Sequence, residues 1–221
     1  MRHVMAIALF VQLAPAAVEG QGIIGGFAVE QTSGRPLRCI NAVLLDTTGA
    51  VVDSTRTGLG GLFQLMAPAV GRFRIRFSAR GITDVLSEPE PIGPDAQIER
   101  RFQVPLYFDS ALKAYVNGEA PGRSDMRLRR GSPAPAYPDD LRRDRIEGEV
   151  VLAYAIDSKG FVDTSTVLPI KVSHALFFVA AWDVLPRWRY EYLKPTDVEC
   201  TLGVQRFTFG IGATRYRWPD D

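Results

Sequence analysis

From residue 71 to residue 77 the chain alternates without a break: Arg72, Arg74 and Arg76 against Phe73, Ile75 and Phe77. A period of two fits a strand with one buried and one wet face, because a helix would scatter those aromatic rings around its circumference. The same alternation returns at Ile98, Arg100, Phe102, Val104 and Leu106, interleaved with Glu99, Arg101 and Gln103. Shorter apolar runs occupy 23–29, 40–45, 51–52 and 62–65. Turn clusters separate them: Gln31-Thr32-Ser33-Gly34-Arg35-Pro36, Asp46-Thr47-Thr48-Gly49 and Gly58-Leu59-Gly60-Gly61. Short strands at this spacing, joined by Gly-rich turns, predict an all-β sandwich over 21–106. The arginine row at 72, 74 and 76 invites an anion site, but a half-buried strand ordinarily turns such a row to solvent, and that is the expectation.

The pattern changes after residue 136. Tyr137-Pro138-Asp139-Asp140-Leu141-Arg142-Arg143 predicts a helix with Pro138 at its first position, acids at its positive end, bases at the other, and Gly148 as the stop. A strand over 149–157 carries Val150, Leu152, Tyr154 and Ile156 on one face. Ser158-Lys159-Gly160 turns it back into a second strand over 161–168. Phe177, Ala180, Ala181, Val184, Leu185 and Trp188 recur at helical spacing over 175–188, with Pro186 distorting the last turn. Trp182 and Trp188 are expected in the core. Val198, Cys200, Leu202 and Val204 then alternate, and Phe207 and Phe209 continue in the other phase. A bulge at Gln205-Arg206 would explain that shift. Between the two patterns, 107–136 holds Asn117-Gly118-Glu119-Ala120-Pro121-Gly122 and a Pro-rich stretch, and reads as a linker. The expectation is therefore two domains, an all-β sandwich and then an α+β unit of helix, β-hairpin, helix and edge strand over 137–221.

Arg2-His3, an apolar run over 4–13 broken only by Gln12, and Ala14-Pro15-Ala16-Ala17 have the order of a secretory signal peptide, here 1–20. A spanning helix wants about 20 apolar residues. The run is shorter, so cleavage is expected, with an uncleaved inner-membrane anchor as the alternative. The net charge of +1 gives no electrostatic case for nucleic acid. The chain has only two His, and His3 leaves with the signal. His174 would have to serve any Ser-His pair or zinc site alone, and a place in a first helical turn is expected for it. No acid, base and nucleophile come together in the sequence. No catalytic, metal-binding or cofactor residue is therefore assigned, and no enzyme is expected. Cys39 and Cys200 would close a loop of about 160 residues if bonded. Each stands in an apolar strand context, and two buried thiols are the expectation.

Two resemblances accompany this reading. Gly26-x-Ala28-x-Glu30-x-x-Ser33-Gly34-x-Pro36-Leu37, with Gly60-Gly61-Leu62-Phe63-x-Leu65, Pro68 and Gly71-Arg72-Phe73-Arg74-Ile75, resembles a carboxypeptidase regulatory-like (transthyretin-like) sandwich. That resemblance implies a non-catalytic appendage. Tyr137-Pro138-x-x-Leu141-Arg142-x-x-x-Ile146-x-Gly148-x-Val150, Asp157-x-x-Gly160-x-Val162, Ala180-Ala181, Trp188-Arg189-Tyr190 and Phe207-x-Phe209 resemble the TonB C-terminal domain, in that family's order.

The second resemblance implies a binding module. An open sheet edge accepts an extended peptide through main-chain hydrogen bonds. In that family the peptide is the periplasmic TonB box of an outer-membrane receptor. The last strand would be the edge here, with Val204, Gln205, Arg206 and Thr208 as the partner-binding residues. The implied setting is the periplasm. The implied partners are a TonB-dependent receptor and, on an energised reading, inner-membrane proton-channel proteins. The alternative is a cell-envelope adaptor that moves no energy.

Overall fold

The computed structural model describes residues 22–119, 126–193 and 200–215. The expected signal segment, residues 120–125 of the expected linker and Val198 lie outside the described residues.

Eight strands come first: β1 (Gly22–Glu30), β2 (Asn41–Leu45), β3 (Val51–Arg56), β4 (Leu62–Ala67), β5 (Gly71–Ala79), β6 (Ile82–Leu86), β7 (Glu90–Ile92) and β8 (Gln97–Val104). They form two sheets, β4-β1-β8 and β3-β2-β5-β6, with β7 also on β5. β1 pairs antiparallel with β4 and parallel with β8. The alternation at 71–77 has its expected consequence: Phe73, Ile75 and Phe77 are buried while Arg72 and Arg74 face solvent. The rings of Phe63, Phe77 and Phe102 meet between the sheets at centroid separations of 5.4, 5.6 and 5.8 Å. Each buried Phe of this kind contributes about 2–3 kcal/mol of transfer free energy.

The rest of the chain carries α1 (Ser110–Asn117), β9 (Met126–Leu128), α2 (Asp139–Arg143), β10 (Gly148–Asp157), β11 (Val162–Val172), α3 (Ala175–Val184), β12 (Tyr190–Tyr192), β13 (Cys200–Gly210) and β14 (Ala213–Arg215). The main sheet runs β11-β10-β13-β14, and β12 pairs with β9. The stretch 107–136 thus holds a helix and a strand. No helix among the described residues is long and apolar enough to cross a membrane.

α3 covers one face of the main sheet. Its Phe177 stacks on Phe209 at 4.3 Å, above a core of Val150, Leu152, Tyr154, Ile156, Phe207 and Trp188. A one-turn 3-10 helix over Leu185–Arg187 ends α3 where Pro186 was expected to distort it. Trp188 is buried and its Nε1 donates to the Pro133 carbonyl at 2.8 Å. Trp182 is half-buried, with the Arg35 guanidinium 5.9 Å from its ring centroid. His174 caps α3, its Nδ1 accepting the Leu176 N–H at 3.1 Å.

The other face of the main sheet packs on the sandwich. Ala153 of β10 and Leu168 of β11 belong to the sandwich core, and Ile170, Leu202 and Val204 pack against it. β10 is therefore buried on both faces, which its run of apolar residues allows.

Four expectations need correction. Cys39 and Cys200 are not thiols: they form a disulfide with sulfurs 2.08 Å apart, in an apolar cluster with Ala155. Apolar surroundings suit a buried half-cystine as well as a buried thiol, so burial did not discriminate between them. There is no bulge at Gln205-Arg206, because β13 pairs with β10 in unbroken register from Cys200↔Asp157 to Phe209↔Gly148. The phase changes because one strand serves two cores. Its even residues Cys200, Leu202 and Val204 face the sandwich, and its odd residues Phe207 and Phe209 face α3. Pro138 caps α2 instead of opening it. Gly148 does not stop α2, which ends at Arg143 with Arg145 turning the chain at φ 54°. Gly148 instead begins β10, where a Cβ would lie 2.1 Å from Ser173 Oγ and 2.8 Å from the Phe177 ring.

Candidate peptide-docking edge

One long side of β13 is covered by β10. On the other side β14 pairs only with Thr208, Phe209 and Gly210. Two contacts show which residues point their main chain outward. The Arg206 N–H donates to the Tyr115 hydroxyl oxygen at 2.9 Å. The Cys200 carbonyl accepts from Arg56 Nη1 at 2.8 Å. Main-chain direction alternates along a strand, so Leu202 and Val204 also point outward. Among the described residues no hydrogen bond meets them there. Among the described residues the open edge is thus a window two outward residues long. Arg56 of β3 frames one end and Tyr115 of α1 the other.

The expected partner residues divide. Val204 lies in the window, with its side chain half-buried against the sandwich. Gln205 turns its main chain toward β10 and buries its side chain, whose Nε2 donates to the Arg206 carbonyl at 2.8 Å. Arg206 is engaged on several sides. Its guanidinium lies 5.6 Å from the Tyr115 ring centroid, donates to the Tyr115 carbonyl and stands 3.5 Å from the Glu149 carboxylate. Lys171 pairs with the same Glu149. Thr208 is exposed and lines a shallow open depression with Glu147, Gly148, Glu149, Ser173, Phe209 and Gly210. Tyr115 and Arg56, which frame the window, carry no motif in the sequence. Burial pushes the Tyr115 hydroxyl's pKa up, against the lowering by the Arg206 hydrogen bond and charge.

Buried and turn contacts brace β10, the strand that backs β13. Tyr154 of β10 and Tyr190 of β12 share a buried hydroxyl–hydroxyl contact of 2.5 Å. Burial raises both pKa values, so both hydroxyls stay neutral. The β10–β11 turn is held by the Asp157 carboxylate, which accepts the Lys159 and Phe161 N–H groups at 2.9 and 2.8 Å. Among the described residues no three His, Cys, Asp or Glu side chains gather as a metal-holding group.

Residues 133–211 match the family described as Gram-negative bacterial TonB protein C-terminal. This segment is a TonB C-terminal domain. The edge strand β13 and the helix α3 that covers its sheet both lie within the TonB C-terminal domain, whereas Tyr115 and Arg56 lie before it.

Among solved structures, the chain is similar to the solution structure of the Pseudomonas aeruginosa TonB CTD, at 24% identity over 42% of this chain and 93% of that one, with a TM-score of 0.35. It is also similar to a DUF3823 family protein from Parabacteroides merdae, at 13% identity over 90% and 95% of the two chains and a TM-score of 0.32. A putative carbohydrate binding protein from Bacteroides uniformis matches at 7% identity over 88% and 94%, with a TM-score of 0.35. No curated protein matches the chain. The assignment of the TonB C-terminal domain rests on the family match to 133–211.

Proposed function

We propose that this chain is a periplasmic TonB-like protein that binds an extended, TonB-box-like peptide of an outer-membrane receptor by strand addition at the outer edge of β13, in energy-coupled transmembrane transport. The observation that carries this reading is the open main chain of Leu202 and Val204 on the edge of a TonB C-terminal domain. Two outward residues offer about four main-chain hydrogen bonds, each worth about 0.5–1.5 kcal/mol net. Those bonds sum to about 2–6 kcal/mol and ordering the peptide opposes that gain, so the affinity expected from the main chain alone is weak, about millimolar. The action needs no nucleophile, metal or cofactor. Energy would come from inner-membrane proton-channel proteins. The sandwich, which resembles the carboxypeptidase regulatory-like family, would act as a non-catalytic support for β13.

The test is an NMR titration of the chain with a synthetic TonB-box peptide. The amides of Leu202, Val204 and their neighbours on β13 should shift. Shifts absent from the whole of β13 would refute strand addition there. A second reading, a cell-envelope adaptor that moves no energy, draws support from the disulfide and shared core that fix the two halves together.

A further inference from the structure

We infer that α1 is an internal competitor for the docking edge: Tyr115 occupies the Arg206 end of β13 and must withdraw before a long peptide strand can be added. This inference rests on the strand-addition reading above and concerns its regulation.

The geometry is direct. A strand added to β13 would place a carbonyl oxygen opposite the outward Arg206 N–H. The Tyr115 hydroxyl oxygen already accepts that N–H at 2.9 Å. The guanidinium of Arg206 folds over the Tyr115 ring and donates to the Tyr115 carbonyl, fixing the last turn of α1 against β13. Gly118 closes that turn at φ 84°, and a Cβ there would lie 2.3 Å from Arg206 Nη1. Glycine adopts that left-handed φ without strain.

The other end of α1 is tied to the sandwich. The Asp109 N–H donates to the Gly81 carbonyl at 3.0 Å, and the Asp109 carboxylate accepts the Leu112 N–H at 2.7 Å. Leu112 packs on Gly81, where a Cβ would lie 3.0 Å from Leu112 Cδ2. An eight-residue helix is marginal by itself, so α1 holds its place through these end contacts and not through its own helical stability. Loosening either end releases Tyr115. In the closed state, Leu202 and Val204 admit a short peptide. With α1 withdrawn, the accessible edge extends through Arg206 toward β14.

The experiment compares synthetic TonB-box peptides of about four and about eight residues, bound to the full chain and to its Tyr115→Phe variant, by calorimetry. Phenylalanine keeps the ring packing and removes the accepted hydrogen bond. The longer peptide should bind Tyr115→Phe about fivefold more tightly, the weight of one net hydrogen bond. The shorter peptide should bind both proteins equally. Asp109→Ala, which removes the cap on the Leu112 N–H and so weakens α1 as a helix, should tighten binding of the longer peptide in the same way. Equal binding of the longer peptide to all three proteins overturns the competitor role and leaves strand addition intact. No binding of either peptide to any of the three overturns strand addition, and the competitor role with it.

Discussion

Replacing both half-cystines, as in Cys39→Ala with Cys200→Ala, should lower the unfolding free energy more than any other change outside the main cores. The bond spans 161 residues of sequence. In the chain-entropy description, a closed loop of that length removes unfolded-state entropy worth about 5 kcal/mol at 25 °C, and measured losses of native disulfides run at about 2–5 kcal/mol. With a urea slope of about 2–3 kcal/mol per molar for a chain of this size, the midpoint should fall by about 1–2 M. Both sulfurs are buried with Ala155, so alanine adds a small cavity cost of the same sign. Tryptophan fluorescence is a suitable probe, because Trp188 lies in the α3 core. The wild-type protein unfolded with and without a strong reductant isolates the covalent bond from the lost atoms. A non-reduced peptide map without the 39–200 linkage would refute the bond. An intact linkage with an unchanged midpoint on reduction would refute the loop-entropy reasoning.

Four further perturbations have defined outcomes. Gly160→Ala should cost about 2–3 kcal/mol in urea denaturation, because Gly160 has φ 85° and an added Cβ would lie 2.0 Å from the Tyr190 carbonyl oxygen. Phe177→Ala should cost about 3–5 kcal/mol and lower the melting temperature measured by circular dichroism, since the ring is fully buried between Tyr137 and Phe209. Thr57→Val should cost about 1–3 kcal/mol by the same denaturation assay, because the buried hydroxyl donates to the Leu37 carbonyl at 2.6 Å and accepts the Ile40 N–H at 3.0 Å. Asp163 gives a pH dependence: burial alone would raise its pKa, but hydrogen bonds from Ser165 and Arg38 and the Arg38 charge hold it below its ordinary 3.8. A carboxylate lowered in the folded state stabilises above its unfolded pKa and loses that contribution as pH falls through the folded value. Stability should therefore drop below about pH 4, and Arg38→Met should flatten that acid limb of the denaturation curve.

Where one residue type alternates with another, the sequence was enough. The period of two at 71–77 became β5, and the helical spacing of Phe177, Ala181 and Val184 became the inner face of α3. Such patterns report a single dry face, which local sequence encodes. β13 was harder because it has two dry faces belonging to different cores. Its change of phase is a change of neighbour, and a bulge leaves the same trace in the sequence. The disulfide was illegible for a related reason: the spacing of two cysteines does not report whether the fold brings them together. The candidate docking edge was half legible. Its strand could be placed by resemblance, but Gln205 and Arg206 turned out to be engaged within the fold. The residues that close the window, Tyr115 and Arg56, come from 91 positions before Arg206 and 144 before Cys200. Nothing in their local sequence distinguishes them.

The disulfide also decides how a pull would travel through the molecule. Cys200 stands at the first position of β13, and Cys39 lies only a short way beyond β1. Tension applied between the N-terminal end of β1 and a peptide held on β13 passes along the chain to Cys39, crosses the two sulfurs and enters β13 directly. Everything from β2 to β12, including the stretch 107–136, hangs from that covalent line as a closed loop, loaded only through non-covalent pairing such as that of β1 with β4 and β8. The covalent length between those two points is then set by the residues before Cys39 and by β13 itself, whatever the length of the connecting segment.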